Sequence, residues 1–408
     1  MKTLNMCPNS LQTLLRVLIG VTLAAALAAC SGGNGNSLNL TTTPSAAEPD
    51  QPVEPDPPVE PDPPVEEVNP FQELVDQGVT RYLGAYTPML SETDGDIVSH
   101  RFSASDGPMC LRGGEYVMST RDQGAEDLVI FLQGGGGCWD TLCAATETAG
   151  PGIPKAGILD NDLPGNPIAD MNMAYLPYCD GGVHASDAEY DIDGNGSIEP
   201  GTSDQFHHGL HNMSAALDVT VQTFPAPRRI VLMGVSGGGF GTIFALPLVR
   251  TLYPDVPIDV VNDSGVSVGR PNEPEFFKSL LSYWNISDSF LPASCPQCIG
   301  DDGHGTGVHN WGLGQDENLR ISLLSHKRDS TIATFFFGVG GAAWETELIR
   351  EMGEVEAANP DRVRSLIADG SDHTFLIAKT AAEVDGITVL DWVTAMLDDT
   401  AQWTSRID

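Results

Sequence analysis

Ser236 stands in Gly234-Val235-Ser236-Gly237-Gly238, directly after the apolar run Arg229-Ile230-Val231-Leu232-Met233. The residues that follow, Thr242-Ile243-Phe244-Ala245-Leu246, read as a helix. A strand, a G-x-S-x-G turn and a helix make a nucleophile elbow. Small flanking residues allow the turn to be tight, and the turn throws the serine hydroxyl clear of the backbone, where a base can reach it. The N–H of Gly237 is then free to face an oxyanion. The chemistry expected of such a serine is acyl transfer.

A serine nucleophile needs a base, and the base needs an orienting acid. Of nine histidines, His373 fits best. It follows the apolar run 363–368, in a loop at the carboxyl end of an expected strand, where catalytic groups collect. His207, His208 and His211 precede the serine, which is the wrong chain order for this elbow's base. They are read as loop and helix-surface groups. Two aspartates follow strands in the permitted order. Asp329 comes shortly after the run 320–324 and is preferred; Asp263 ends the run 258–263 and is the alternative. Upstream, 127–132 runs into Gln133-Gly134-Gly135-Gly136-Gly137-Cys138-Trp139. The N–H of Gly135 or Gly136 is the expected second oxyanion donor, because glycine lets the backbone approach a substrate closely. Neither glycine-rich segment ends in Gly-Lys-Ser/Thr, so phosphate binding is not expected.

These groups need a scaffold that gathers the ends of several strands. Buried-type runs at 127–132, 230–234, 258–263, 320–324 and 363–368 alternate with helical patterns at 213–219, 276–283, 346–352 and 387–397. That alternation predicts an α/β protein with a mostly parallel sheet covered by helices on both faces. The order Ser, acid, His is that of the α/β-hydrolase arrangement.

Several segments resemble the pectin acetylesterases and the related Notum carboxylesterases. Leu132-Gln133-Gly134-Gly135-Gly136-Gly137-Cys138-Trp139 is similar to their Gly-rich, Trp/Cys-containing signature, and Gly234-Val235-Ser236-Gly237-Gly238-Gly239 to their nucleophile motif. Asn262-Asp263-Ser264-Gly265 and Tyr178-Cys179-Asp180-Gly181 resemble further family segments. His373 matches a late Gly-x-x-His. The segment 323–329 resembles their strand-then-Asp, but Arg328 replaces the usual aromatic residue and the following Trp-Gln is absent. The resemblance spans roughly 107–397. It implies hydrolysis of an ester on a larger molecule, commonly an O-acetyl group on a polysaccharide.

The first 68 residues read differently. An apolar run at 17–29 ending in Leu27-Ala28-Ala29-Cys30 has the length and small-residue end of a signal peptide over 1–29. It resembles a bacterial lipobox, which implies a lipid on Cys30 and, with Ser31 following, an outer-membrane lipoprotein facing the periplasm or the cell surface. The segment 30–68 is polar and then built on a Glu-Pro-Asp-Pro-Pro-Val repeat, an extended tether. The catalytic domain is then 69–408. The chain carries 56 acids against 20 bases, a formal net charge of −36. Such a surface excludes nucleic acid and argues weakly against a demethylated, anionic pectin as substrate. Membrane contact is expected through the lipid anchor only, and a monomer is expected.

Six cysteines lie in the domain, an even count that suits disulfides in an exported protein. Six allow 15 pairings, among which sequence does not choose. Cys138–Cys143 and Cys295–Cys298 are the local pairs, leaving Cys110–Cys179. A zinc or redox role for Cys295-Pro-Gln-Cys298 is the lesser reading. Asp191-Ile192-Asp193-Gly194-Asn195-Gly196-Ser197-Ile198 copies the first half of an EF-hand loop, with Asp191, Asp193, Asn195 and Ser197 as candidate ligands of a structural calcium. The twelfth position is Thr202, and Asp204 or Glu199 is the expected substitute. The other reading is an acidic turn without an ion.

Together these features predict a serine esterase, with Ser236, His373 and Asp329 as its triad and no required cofactor, acting on an acylated polysaccharide. A lipase or polyester-type carboxylesterase is the enzymatic alternative. A calcium-dependent, non-catalytic surface binding protein on a hydrolase fold is the alternative from another class.

Overall fold

A computed structural model describes residues 69–408 of the chain. The expected signal peptide 1–29, the lipidation site Cys30 and the tether 30–68 lie outside the described residues. The central element is a ten-stranded sheet. Its strands are β1 (Leu90–Asp94), β2 (Ile97–Phe102), β3 (Tyr116–Arg121), β4 (Asp127–Leu132), β5 (Asn172–Leu176), β6 (Arg229–Val235), β7 (Ile258–Asp263), β8 (Leu319–His326), β9 (Val363–Ala368) and β10 (Arg406–Ile407). Their spatial order is β1-β2-β3-β5-β4-β6-β7-β8-β9-β10. The strands from β5 to β10 pair in parallel, while β1, β2 and β3 form an antiparallel edge, and β3 meets β5 antiparallel.

Period-two patterning explains why β4 and β6 read as nearly unbroken apolar runs. In β4, Leu128, Ile130 and Leu132 face one core while Val129 and Phe131 face the other. In β6, Ile230 and Leu232 are opposed in the same way to Val231, Met233 and Val235. Both faces are buried, so both sets must be apolar. The first core takes in helices α1 (Gly209–Thr223), α2 (Gly237–Leu252) and α3 (Pro274–Tyr283), together with Trp344, Leu348, Met352 and Val355 of α4 (Gly341–Ala358). The second is closed by α5 (Val389–Leu397), through Trp392, Val393 and Met396. This is an α/β-hydrolase-like fold. No helix among the described residues is long and apolar enough to cross a membrane.

Three disulfides join Cys110 to Cys179, Cys138 to Cys143 and Cys295 to Cys298. Cys295-Pro-Gln-Cys298 is therefore a cross-link, and a zinc site is not its role. Disulfides suit an oxidising, exported setting.

Strand order also fixes where a site can form. From β4 the chain steps to β5 on one side and later to β6 on the other. The loops leaving the carboxyl ends of β4 and β6 diverge at this reversal and open a crevice, the usual ligand position in open α/β sheets.

Candidate active site

Ser236 sits between β6 and α2 with φ 56° and ψ −122°. A non-glycine residue with positive φ is strained, and such strain persists only where the surroundings enforce it. Here the Ser236 N–H donates to the Asp263 carbonyl at 2.8 Å, and its carbonyl accepts from Phe240 N–H at 3.1 Å. The glycines are steric necessities. A Cβ on Gly238 would fall on the Leu132 carbonyl, and one on Gly134 would meet the Val235 carbonyl and lie 2.8 Å from Ser236 Cβ. The end of β4 and the serine turn are packed backbone to backbone.

The Gly-rich run continues into a short strand, Gly136–Trp139, paired antiparallel with Leu142–Ala145 and bridged by the Cys138–Cys143 disulfide. Gly136 has φ +87°. Its carbonyl accepts from Tyr178 Oη at 2.9 Å and lies 3.2 Å from where a Cβ on Gly237 would be. The Gly135–Gly136 backbone and the start of α2 are thus immediate neighbours. Tyr178, buried and with its phenol pushed well above the usual range by that burial, also accepts from Val183 N–H at 3.1 Å. Sequence pointed to the Tyr178 segment only through its resemblance.

His373 and Asp329 meet. Nδ1 of the imidazole donates to Asp329 Oδ2 at 2.7 Å. The other carboxylate oxygen accepts from the N–H groups of Thr331 and Ile332, both at 3.0 Å, as the cap of the π-helical turn Ser330–Phe336. Asp329 is fully buried. The pairing of β8 with β9 continues past both strands and brings the two residues together. Lys327 N–H donates to Ala368, Arg328 N–H to Gly370 and Ser330 N–H to Ser371, at 2.9, 3.0 and 3.1 Å. Arg328, the departure from the family pattern, serves this ladder through its backbone. Its side chain turns outward to Glu345 at 2.6 Å, so the change of residue type leaves the Asp329–His373 contact in place.

Asp263, the alternative acid, is committed elsewhere. One oxygen accepts from Phe375 and Leu376 N–H at 2.7 and 2.8 Å, and the other from Ser264 Oγ at 3.2 Å. Ser264 Oγ in turn accepts from Thr374 N–H at 3.3 Å. The pair holds the backbone immediately after His373, a positioning task that sequence order alone did not suggest. Full burial pushes the Asp263 carboxyl up to about 6, opposed by those backbone donors.

Ser236 lies between two cavities. One is open, about 790 Å³, and is also lined by Gly135, Gly136 and His373. The other is narrower and only partly enclosed, about 60 Å³, and runs from Ser236 and Gly237 among Trp139, Phe240, Trp284 and Phe336. Its walls come from segments far apart in the chain, so no local motif announced it.

His207 and His208 are buried, contrary to the expectation of surface groups, and each of the three early histidines has its own partners. His207 bonds the Asp180 carbonyl and Gln205, His208 the Gly107 carbonyl and Glu189, and His211 Tyr86 and Asp187. In the EF-hand-like segment, carboxylate oxygens of Asp191, Asp193 and Asp204 lie within 4.8 Å of one another. Asn195 Oδ1 accepts from Ser197 N–H at 2.8 Å within the same loop. A second group, Asp302, His304 and Glu351, does not suit a cation. Gly269 N–H donates to His304 Nδ1 at 3.0 Å, which leaves the ring proton on Nε2, and the Arg350 guanidinium already bridges Asp302 and Glu351 at 3.0 and 2.6 Å.

No curated protein gives a match to this chain. Residues 93–297, just over half of the sequence and including the Gly-rich loop, the serine turn and Asp263, match the family described as Pectinacetylesterase. The chain belongs to the pectinacetylesterase family, which makes it a carboxylic ester hydrolase.

Proposed function

We propose that this protein is a serine esterase that removes short acyl groups, acetyl above all, from a polysaccharide. The observation that carries the reading is the 2.7 Å bond from His373 Nδ1 to the buried Asp329, with His373 and Ser236 lining the same cavity. That bond commits Nδ1 as donor and leaves Nε2 as the basic nitrogen. Nε2 takes the Ser236 proton as Oγ bonds to the acyl carbon. The N–H groups of Gly237 and of Gly135 or Gly136 receive the oxyanion. Collapse breaks the bond to the alcohol oxygen, which leaves with the proton from His373. Water then gives a proton to His373 and adds to the acyl carbon; the acid departs and Ser236 recovers its hydrogen. Asp329 holds the ring and stabilises its charged form. These steps call for no cofactor.

The narrower cavity supports a short acyl group. At about 60 Å³, with Trp139, Phe240, Trp284 and Phe336 among its walls, it suits a small apolar group. This favours the acetylesterase reading over the lipase alternative. Calcium in the loop holding Asp191, Asp193, Asn195 and Ser197 belongs to the same proposal as a stiffener of that loop, with Asp204 completing the carboxylate set. An exported lipoprotein anchored through Cys30 is the proposed setting. Hydrolysis of p-nitrophenyl acetate tests the reading: the protein turns it over and Ser236→Ala does not. Equal, background-level rates in both would favour the non-catalytic binding protein.

A further inference from the structure

The alcohol side of the substrate must occupy the open cavity, because the narrower one is too small and too apolar for a sugar chain. At about 790 Å³ the open cavity is large enough for a short run of sugar rings. Its walls include Gln133, Thr146, Tyr175, Thr331, Phe335 and Ile377, and among the described residues no lysine, arginine, aspartate or glutamate lines it. In a chain of net charge −36, that neutrality is a local departure. Cations do lie next to the lining residues in sequence, but each is held on a carboxylate. Lys155 pairs with Asp162 at 3.0 Å and Lys379 with Asp372 at 2.9 Å, and Lys327, four residues before Thr331, pairs with Asp369 at 2.6 Å. Arg112 takes Glu147, the neighbour of Thr146, at 3.0 Å. A polyuronate would bring one carboxylate per sugar into a site that holds no unpaired lysine or arginine among the described residues, in a chain of strongly negative charge.

The rim carries a second feature. Phe335 is 56% exposed, and it is the only aromatic among the exposed large apolar side chains of the described residues. It sits in the turn that Asp329 caps, with Phe336 beside it, edge to face at 4.9 Å, entering the wall between the two cavities. An exposed apolar side chain alone needs no explanation. One fixed at the mouth of a neutral cleft, four residues past Thr331, offers a flat face to the apolar side of a sugar ring.

We infer that the open cleft takes an uncharged glycan, with a sugar ring stacked on Phe335, and discriminates against acylated polyuronates. The inference rests on the serine esterase reading and narrows its substrate class. The test compares kcat/KM on acetylated xylan and on acetylated polygalacturonate of matched acetyl content, with p-nitrophenyl acetate and an emulsified long-chain ester as further arms. The expected result is a preference for xylan of at least tenfold. Phe335→Ala is expected to lower the ratio of xylan kcat/KM to p-nitrophenyl acetate kcat/KM about tenfold, mainly through KM, the factor for uncovering one aromatic face. Preference for the polygalacturonate or for the long-chain ester overturns the inference, and a ratio that moves less than twofold overturns the role of Phe335. Ser236→Ala separates the two levels: activity that survives in this variant refutes the serine reading, whatever the preference between polymers.

Discussion

Replacing Asp329 by Asn tests which carboxylate serves the histidine. The change keeps size and leaves one carbonyl oxygen to accept from Thr331 and Ile332 N–H, as Oδ1 does at 3.0 Å. The other position then presents an NH₂ group to His373 Nδ1, where the native contact is 2.7 Å. Two donors cannot face each other, so Nδ1 must become the acceptor and Nε2 must carry the proton. The imidazole is then in the wrong tautomer to accept from Ser236. The corresponding Asp-to-Asn change in a serine protease triad lowers kcat about 10⁴-fold, or about 5.5 kcal/mol in the barrier. Asp263→Asn should behave differently. A single Asp263 oxygen accepts both Phe375 and Leu376 N–H, and an amide oxygen can do the same. The Ser264 contact at 3.2 Å reverses, the amide NH₂ now donating to Ser264 Oγ, a change of at most about 1 kcal/mol, so kcat should fall tenfold or less. The assay is steady-state hydrolysis of p-nitrophenyl acetate, with circular dichroism to check folding. A fall of less than tenfold in Asp329→Asn, or a larger fall in Asp263→Asn, would refute the assignment.

Three further outcomes follow from the packing. The Asp263 carboxyl is raised to about 6 by burial, so its contribution to stability is full below pH 4 and is lost as pH rises through 6. In urea titrations the stability of the protein relative to Asp263→Asn should therefore fall by about 2 kcal/mol between pH 4 and pH 7; a constant difference would contradict this. Removing the Cys110–Cys179 disulfide, with a sequence separation of 69, should cost about 4 kcal/mol, against about 2 kcal/mol for Cys138–Cys143, whose separation is 5. Thermal melts of paired Cys→Ala variants check the order, and the reverse order would count against it. If calcium fills the Asp191–Asp193–Asp204 group, chelation lowers the melting temperature and leaves the initial rate within twofold, while Asp204→Asn abolishes the calcium effect.

Much of the fold was legible because a parallel strand buried on both faces carries apolar residues on both, even where polar ones such as Asp259, Ser322 and Ser365 interrupt it. Such runs at β4, β6, β7, β8 and β9 stand out without an alignment. The antiparallel edge was not legible. Every residue of β1 is exposed, β2 mixes Ser99, His100 and Arg101 with its apolar residues, and neither carries a clean period. The serine turn was legible because its glycines are demanded by contacts as close as those of Gly134 and Gly238. The acid was ambiguous for a physical reason: Asp263 and Asp329 both follow parallel strands at the same end of the sheet. What separates them is the continuation of the β8–β9 ladder through 327–330 and 368–371, a register that composition does not encode. The narrower cavity and the exposed Phe335 depend on residues brought together only by the fold.

The central claim is that Ser236 carries the acyl group. Rapid mixing with p-nitrophenyl acetate, acid quench and peptide mass spectrometry test it directly. The account predicts an acetyl adduct on the peptide containing Ser236, accumulating in the burst phase and absent from Ser236→Ala, which is inactive. An adduct confined to another residue, or wild-type hydrolysis by Ser236→Ala, would contradict it.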